Sequence, residues 1–142
     1  MNKGLESYKK TDVNTSSQGK LVVMLYDGAI KFLETALSLI GQKHRTEEVH
    51  TNIVKAQDII VELLASLNYD AGDIAKRLAS IYTYMNKRLL EANVKKEREP
   101  IDEVVGFLKE RRDAWAKAAD QPINEEKPKT APAKPGSINI SG

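Results

Sequence analysis

Apolar residues along this chain recur at steps of three and four, in four blocks separated by polar breaks. That spacing is the mark of amphipathic helices, and no stretch shows the strict alternation of a strand. The first block opens at Ser17, a good N-cap, and runs to about Gly41, where a glycine suits the position just past a helix end. The second follows Thr46, puts Glu47 and Glu48 in its first turn, and reaches about Leu67. Asp70 or Asp73 opens the third, which carries Ile74, Leu78, Ile81, Met85 and Leu89. Pro100, in a first-turn position, opens the fourth, with Ile101, Val104, Val105, Leu108, Trp115 and Ala119, and Gly106 as a weak point within it. The connections are short, so neighbouring helices should pack antiparallel. The pattern predicts an all-α chain, an up-down four-helix bundle over residues 16–120.

The flanks read differently. Residues 1–15 form a polar arm in which Leu5 and Tyr8, three positions apart, share one face of a potential helical turn. Beyond residue 120 lie four of the five prolines, Pro122, Pro128, Pro132 and Pro135, among Lys, Glu, Ala, Ser and Asn. Such a segment has too little apolar surface to offset the entropy of ordering it, so residues 121–142 are expected to be a disordered tail. Ile138 and Ile140 near its end alternate with polar residues, as a short docking motif would, but a plain disordered end has the same appearance.

The helical wheel gives more apolar surface than a bundle stripe requires. On the first helix, Leu21, Leu25, Gly28, Phe32, Ala36 and Leu39 form one stripe, and Val23, Tyr26, Ile30, Leu33 and Leu37 an adjoining one. On the second, Val49, Ile53, Ala56, Ile60, Leu63 and Leu67 form one stripe, while Val54, Val61 and Ala65 lie on a separate face. Three readings leave this trace: burial of a central helix on two sides, a groove for an amphipathic partner segment, and a homodimer interface. Periodicity alone does not separate them.

Composition removes several function classes. The formal net charge of +2 comes without a clustered basic face, so nucleic acid is not an expected partner. The longest unbroken apolar run, Leu21 to Tyr26, is six residues against the roughly 20 of a membrane span, so neither membrane insertion nor a secretory leader is expected. There is no cysteine, which fits a reducing cytosol and leaves no thiolate metal site. Glu47-x-x-His50 matches the local pattern of a di-iron bundle. That site needs the pattern twice, and the only other histidine, His44, lies upstream. No phosphate loop or nucleophile motif occurs. The expectation is therefore no enzyme, no catalytic residue, no metal and no cofactor. Lys87-Arg88 and Arg111-Arg112 are interleaved with acids and read as solvated helix faces, and Trp115 reads as a core anchor.

Four stretches carry a resemblance. They are Met24-Leu25-Tyr26-Asp27-Gly28-Ala29-Ile30, then Lys55-Ala56-Gln57-Asp58-Ile59-Ile60 with Glu62-Leu63. Tyr82-Thr83-Tyr84-Met85 with Arg88-Leu89 and Ala92-Asn93 follows, and Asp113-Ala114-Trp115 is last. In this order and spacing, with Tyr8 and Val13-Asn14-Thr15 upstream, they resemble the flagellar secretion chaperone FliS family over about residues 5–118. Ser17-Gln18-Gly19-Lys20 and Ala71-Gly72 depart from that family's usual helix starts, which bears on caps rather than on fold. The resemblance implies a cytosolic type III export chaperone. Its partners would be the disordered C-terminal segment of flagellin and the cytosolic domain of the export gate. It gives the surplus stripes a use, with Tyr26, Ile30, Leu33, Leu37, Val54 and Val61 as candidate groove residues. Leu5 and Tyr8 would cap the groove or dock at the gate. The rival reading is a non-enzymatic helical scaffold or adaptor acting as a homodimer.

Overall fold

The computed structural model describes residues 15–120, and all four expected helices are present, with no strand among the described residues. Helix α1 spans Thr15–Leu39, α2 Thr46–Ala65, α3 Asp73–Lys95 and α4 Glu99–Asp120. The arm expected over 1–15 and the tail over 121–142 fall almost wholly outside the described residues, Leu5 and Tyr8 included.

The helix ends follow local chemistry. Helix α1 is already helical at Thr15, the first described residue, so Ser17 lies within it rather than at its cap. It ends at Leu39, and the chain turns through Gly41, whose φ of +94° lies in the left-handed region that favours glycine. A 3-10 turn, Lys43–Arg45, leads into α2, so Glu47 and Glu48 do occupy its first turn. Between α2 and α3 a second 3-10 turn, Tyr69–Ala71, is capped by Asn68, whose side-chain oxygen accepts from the Asp70 amide at 2.9 Å. Asp73, not Asp70, therefore opens α3. Pro100 sits in the first turn of α4, where its missing N–H leaves no bond unmade.

Each helix packs against the two beside it, in the ring α1–α2–α3–α4 and back to α1. Cross-links set the directions. Gly28 lets α1 approach α2 closely, a Cβ there standing 3.2 Å from Ile59 Cδ1. Gln57 pairs with Asn86 and His50 with Asn93 across α2 and α3. Tyr84 meets Phe107 across α3 and α4, and Asp27 meets Arg112 across α1 and α4. A second cross-link on each of the other seams, Phe32 with Lys55, Arg88 with Glu103 and Glu34 with Lys109, shows the numbers rising on one helix as they fall on the other, so all neighbours are antiparallel.

The core runs the length of the ring and takes Leu25, Tyr26, Leu33, Ile53, Ile60, Leu63, Tyr82, Met85, Leu89, Ile101, Leu108 and Trp115. Trp115, at 1% exposure, is the expected anchor. The breadth of the apolar surface on α1 now has a cause. This helix is packed on both flanks, by α2 and by α4, so its two stripes are two sides of one buried surface.

Candidate partner-binding surface

The α2–α3 seam is joined by amides. Gln57 Nε2 donates to the Asn86 carbonyl at 3.3 Å, and Asn86 Nδ2 donates to the Gln57 carbonyl at 3.4 Å. Seven residues along each helix, Asn93 Nδ2 lies 2.9 Å from His50 Nδ1. Lys96 Nζ donates to Asn93 Oδ1 at 2.7 Å and so fixes which way that buried amide points. Lys96 reaches it from a left-handed backbone, φ +54°, that ends α3. Asn86 Oδ1 is buried with no hydrogen-bond partner among the described residues. An unpaired buried acceptor costs about 1–3 kcal/mol, so packing on either side must offset it.

Apolar side chains flank these amides. On α2, Val54 precedes Gln57 by three residues and Val61 follows it by four, which places both beside it on the helix surface. Val61 is 52% exposed and Val54 half-buried. On α3, Leu90 lies four residues beyond Asn86 and Val94 four beyond that. They are 56% and 74% exposed. Two apolar banks therefore border a seam with an amide floor, along about two turns of α2 and about one turn of α3. A surface of this shape suits an amphipathic helix laid along it.

The structure divides the candidate groove residues. Tyr26, Ile30 and Leu33 are buried inside the bundle, because α1 is enclosed on two sides, so they line no open groove in this state. Leu37 is half-buried near the end of α1, where its carbonyl accepts from Arg98 Nη2 at 3.3 Å, away from the α2–α3 seam. Val54 and Val61 are the two candidates brought to the seam. Leu90 and Val94 escaped the sequence reading. Their step of four is the signal that marks them, but on α3 it lies beside the stronger core stripe of Leu78, Met85 and Leu89.

The α1–α4 and α3–α4 seams are bridged by charge. Arg112 Nε and Asp27 Oδ1 are 2.7 Å apart, and Lys109 Nζ and Glu34 Oε2 3.0 Å, joining α1 to α4. Between α3 and α4, Arg88 Nε donates to Glu103 Oε1 at 2.7 Å and Tyr84 Oη to Glu103 Oε2 at 2.8 Å. Arg88 also holds Glu91. The bond from Arg88, and then that from Tyr84, hold the Glu103 carboxyl below its usual range. Arg88 and Arg112 are thus cross-helix clasps rather than the solvated charges that their sequence neighbours suggested. The pattern misleads because partners on another helix are invisible to local spacing. His50 is exposed and bound to Asn93. Among the described residues no three potential metal-ligating side chains converge, and no helix is long and apolar enough to cross a membrane.

Together these features describe a helical bundle with an apolar-flanked seam between α2 and α3 beside two seams bridged by charge. A family profile described as flagellar protein FliS matches residues 1–122. The chain is 37% identical to the flagellar secretion chaperone FliS of Bacillus subtilis over 112 residues, 79% of this chain and 83% of that one. It is 33% identical to the protein of the same name from Vibrio cholerae, covering 81% and 88%. For the Escherichia coli protein of that name the identity is 32%, covering 84% and 92%. The chain belongs to the FliS family. Membership supports a flagellar export chaperone role, and the naming of these relatives as chaperones implies a non-enzymatic one.

Proposed function

We propose that this chain is a cytosolic flagellar export chaperone that binds the C-terminal segment of flagellin along the α2–α3 seam. There it keeps the segment from premature polymerisation and hands it to the cytosolic domain of the export gate. The observation that carries the reading is the pair of apolar banks beside the seam, Val54 and Val61 on α2 and Leu90 and Val94 on α3, in a chain of the FliS family. A disordered segment that becomes helical on binding must overcome its ordering entropy by apolar burial. That calls for a long surface rather than a single pocket. The amides at the centre of the seam fix the register of α2 on α3, so both banks are in place before the partner arrives. Leu5 and Tyr8 of the arm serve either as a cap over the empty seam or as the contact with the gate.

Calorimetric titration of the full chain with a peptide copying a flagellin C-terminus tests this. Binding with a negative heat-capacity change, accompanied by a gain of helical circular dichroism, is the expected result. No binding, together with a stable dimer on sedimentation, would replace the reading with the homodimeric scaffold.

A further inference from the structure

We propose that Asn86 makes the α2–α3 seam selective for a helical segment carrying one primary amide, Asn or Gln, between two apolar residues of its buried face. The inference rests on the reading that this seam receives the partner. Asn86 Oδ1 is a buried acceptor that no group among the described residues satisfies. The amide that carries it is loosely held. Its Nδ2 reaches the Gln57 carbonyl at 3.4 Å, and Gln57 Nε2 reaches the Asn86 carbonyl at 3.3 Å. Both bonds are longer than the about 3.0 Å of a well-made N–H···O bond. Both carbonyls also lie inside helices, where the backbone amide four residues on already claims them. The side-chain bonds are therefore second, weak claims on occupied acceptors. Asn86, only half-buried, turns towards the mouth of the seam at little cost. The register of α2 on α3 survives that turn, because His50 and Lys96 hold Asn93 at 2.9 and 2.7 Å.

That register also dictates where the partner's amide must fall. The pairing of Gln57 with Asn86 and of His50 with Asn93 sets Val54 about level with Leu90 and Val61 about level with Tyr82, with Asn86 between. An α-helix laid along the seam puts one apolar residue over Val54 and Leu90, and a second about seven positions away over Val61. The residue about three or four positions from each then comes over Asn86. An amide there donates to Oδ1 and accepts from Nδ2, so both atoms are satisfied at once. A hydroxyl, with a single oxygen, meets one of the two atoms at a time. A carboxylate sets its lone pairs against Oδ1, and a Lys or Arg loses its water among valines and a leucine while Nδ2 stays unmatched. An apolar residue leaves the acceptor sealed in without a partner. In coiled coils a single polar pair within an apolar seam fixes register. Valines and a leucine alone tolerate a slip of one turn, and the amide of Asn86 does not.

The test is a calorimetric titration of the full-length protein with a peptide copying a flagellin C-terminus, and with the same peptide carrying Leu at each of its Asn and Gln positions in turn. One of these replacements should lower the affinity about 10-fold, the loss of one well-made hydrogen bond. Against Asn86→Leu, a swap of nearly equal size, the same replacement should cost nothing, so the two changes are coupled rather than additive. In the natural protein the Asn86 side-chain NH2 signals should move when the natural peptide is added and stay in place with the replaced one, a readout that needs no variant to fold. Additivity, with every replacement costing as much against Asn86→Leu as against the natural protein, would overturn the proposal. If Leu90→Asp still weakens binding in that case, the seam remains the binding surface and only the role of Asn86 falls. No binding of the natural peptide, or undiminished binding by Leu90→Asp, would overturn the seam reading and this proposal with it.

Discussion

Alkaline pH should unfold this bundle from its interior, through the hydroxyl pair of Tyr26 and Tyr82. The two oxygens lie 2.6 Å apart, with the rings edge-to-face at 6.4 Å and 73°. Burial pushes Tyr26 from 10.0 up to about 12, and the bond to Tyr82 draws it back only in part. Burial pushes Tyr82 upward as well, and so does Tyr26 beside it. Below pH 10 both states hold the proton and stability is intact. Above it the unfolded chain releases the Tyr26 proton while the folded chain keeps it, so stability falls with rising pH until the folded value near 12 is passed. A shift of about two units is worth roughly 3 kcal/mol from Tyr26 alone, a large share of the 5–15 kcal/mol that typically holds a domain. Urea titrations between pH 8 and 12, followed by emission of Trp115, the chain's only tryptophan, measure the slope. Tyr26→Phe should be weaker at neutral pH by about 1–3 kcal/mol, because Tyr82 loses its partner, yet should lose less above pH 10. The two curves should converge. Parallel curves, or folded natural protein showing one more phenolate than folded Tyr26→Phe at an ordinary tyrosine pKa, would refute the reasoning.

Gly106→Ala should raise stability by about 0.5–1 kcal/mol, read as a Tm increase of a few degrees, since nothing lies within 4 Å of a Cβ there and the helix gains propensity. Glu103→Gln should lower Tm at neutral pH and flatten the acid limb. Its carboxyl is held below the ordinary 4.5, so the contribution is full above that value and vanishes as pH falls through the lowered one. Leu90→Asp should change stability by no more than about 0.5 kcal/mol, because the side chain already stands in water. The same change should weaken flagellin-peptide binding at least about 10-fold, since a leucine buried by the partner contributes about 1.5–3 kcal/mol. Equal losses of stability and affinity in that variant would return Leu90 to the core.

Fold class and helix count could be read from periodicity and punctuation. Pro100, Gly41 and the acids after Thr46 each act within one turn of chain, and the structure keeps them where local chemistry puts them. The candidate site was legible only in part. Val61 showed itself as an apolar residue off the main stripe, and it is exposed. Tyr26 and Leu33 gave the same signal but are buried, because the wheel counts apolar faces without knowing how many neighbours a helix has. With two neighbours, α1 uses a broad surface for packing alone. The clasp between Asp27 and Arg112 joins residues 85 apart, a separation at which no local pattern carries information. The amide floor of the seam was hidden for the same reason: Gln57 and Asn86 look like ordinary surface residues until α2 and α3 are set side by side.

Amide signals of the full chain, assigned and followed as a flagellin C-terminal peptide is added, test most directly that the α2–α3 seam is the binding surface. Perturbations should concentrate between Val54 and Val61 and between Asn86 and Val94, on both banks at once, and Leu90→Asp should suppress them together. Perturbations confined to the outer faces of α1 and α4, with the seam unmoved and Leu90→Asp binding as well as the natural chain, would contradict it.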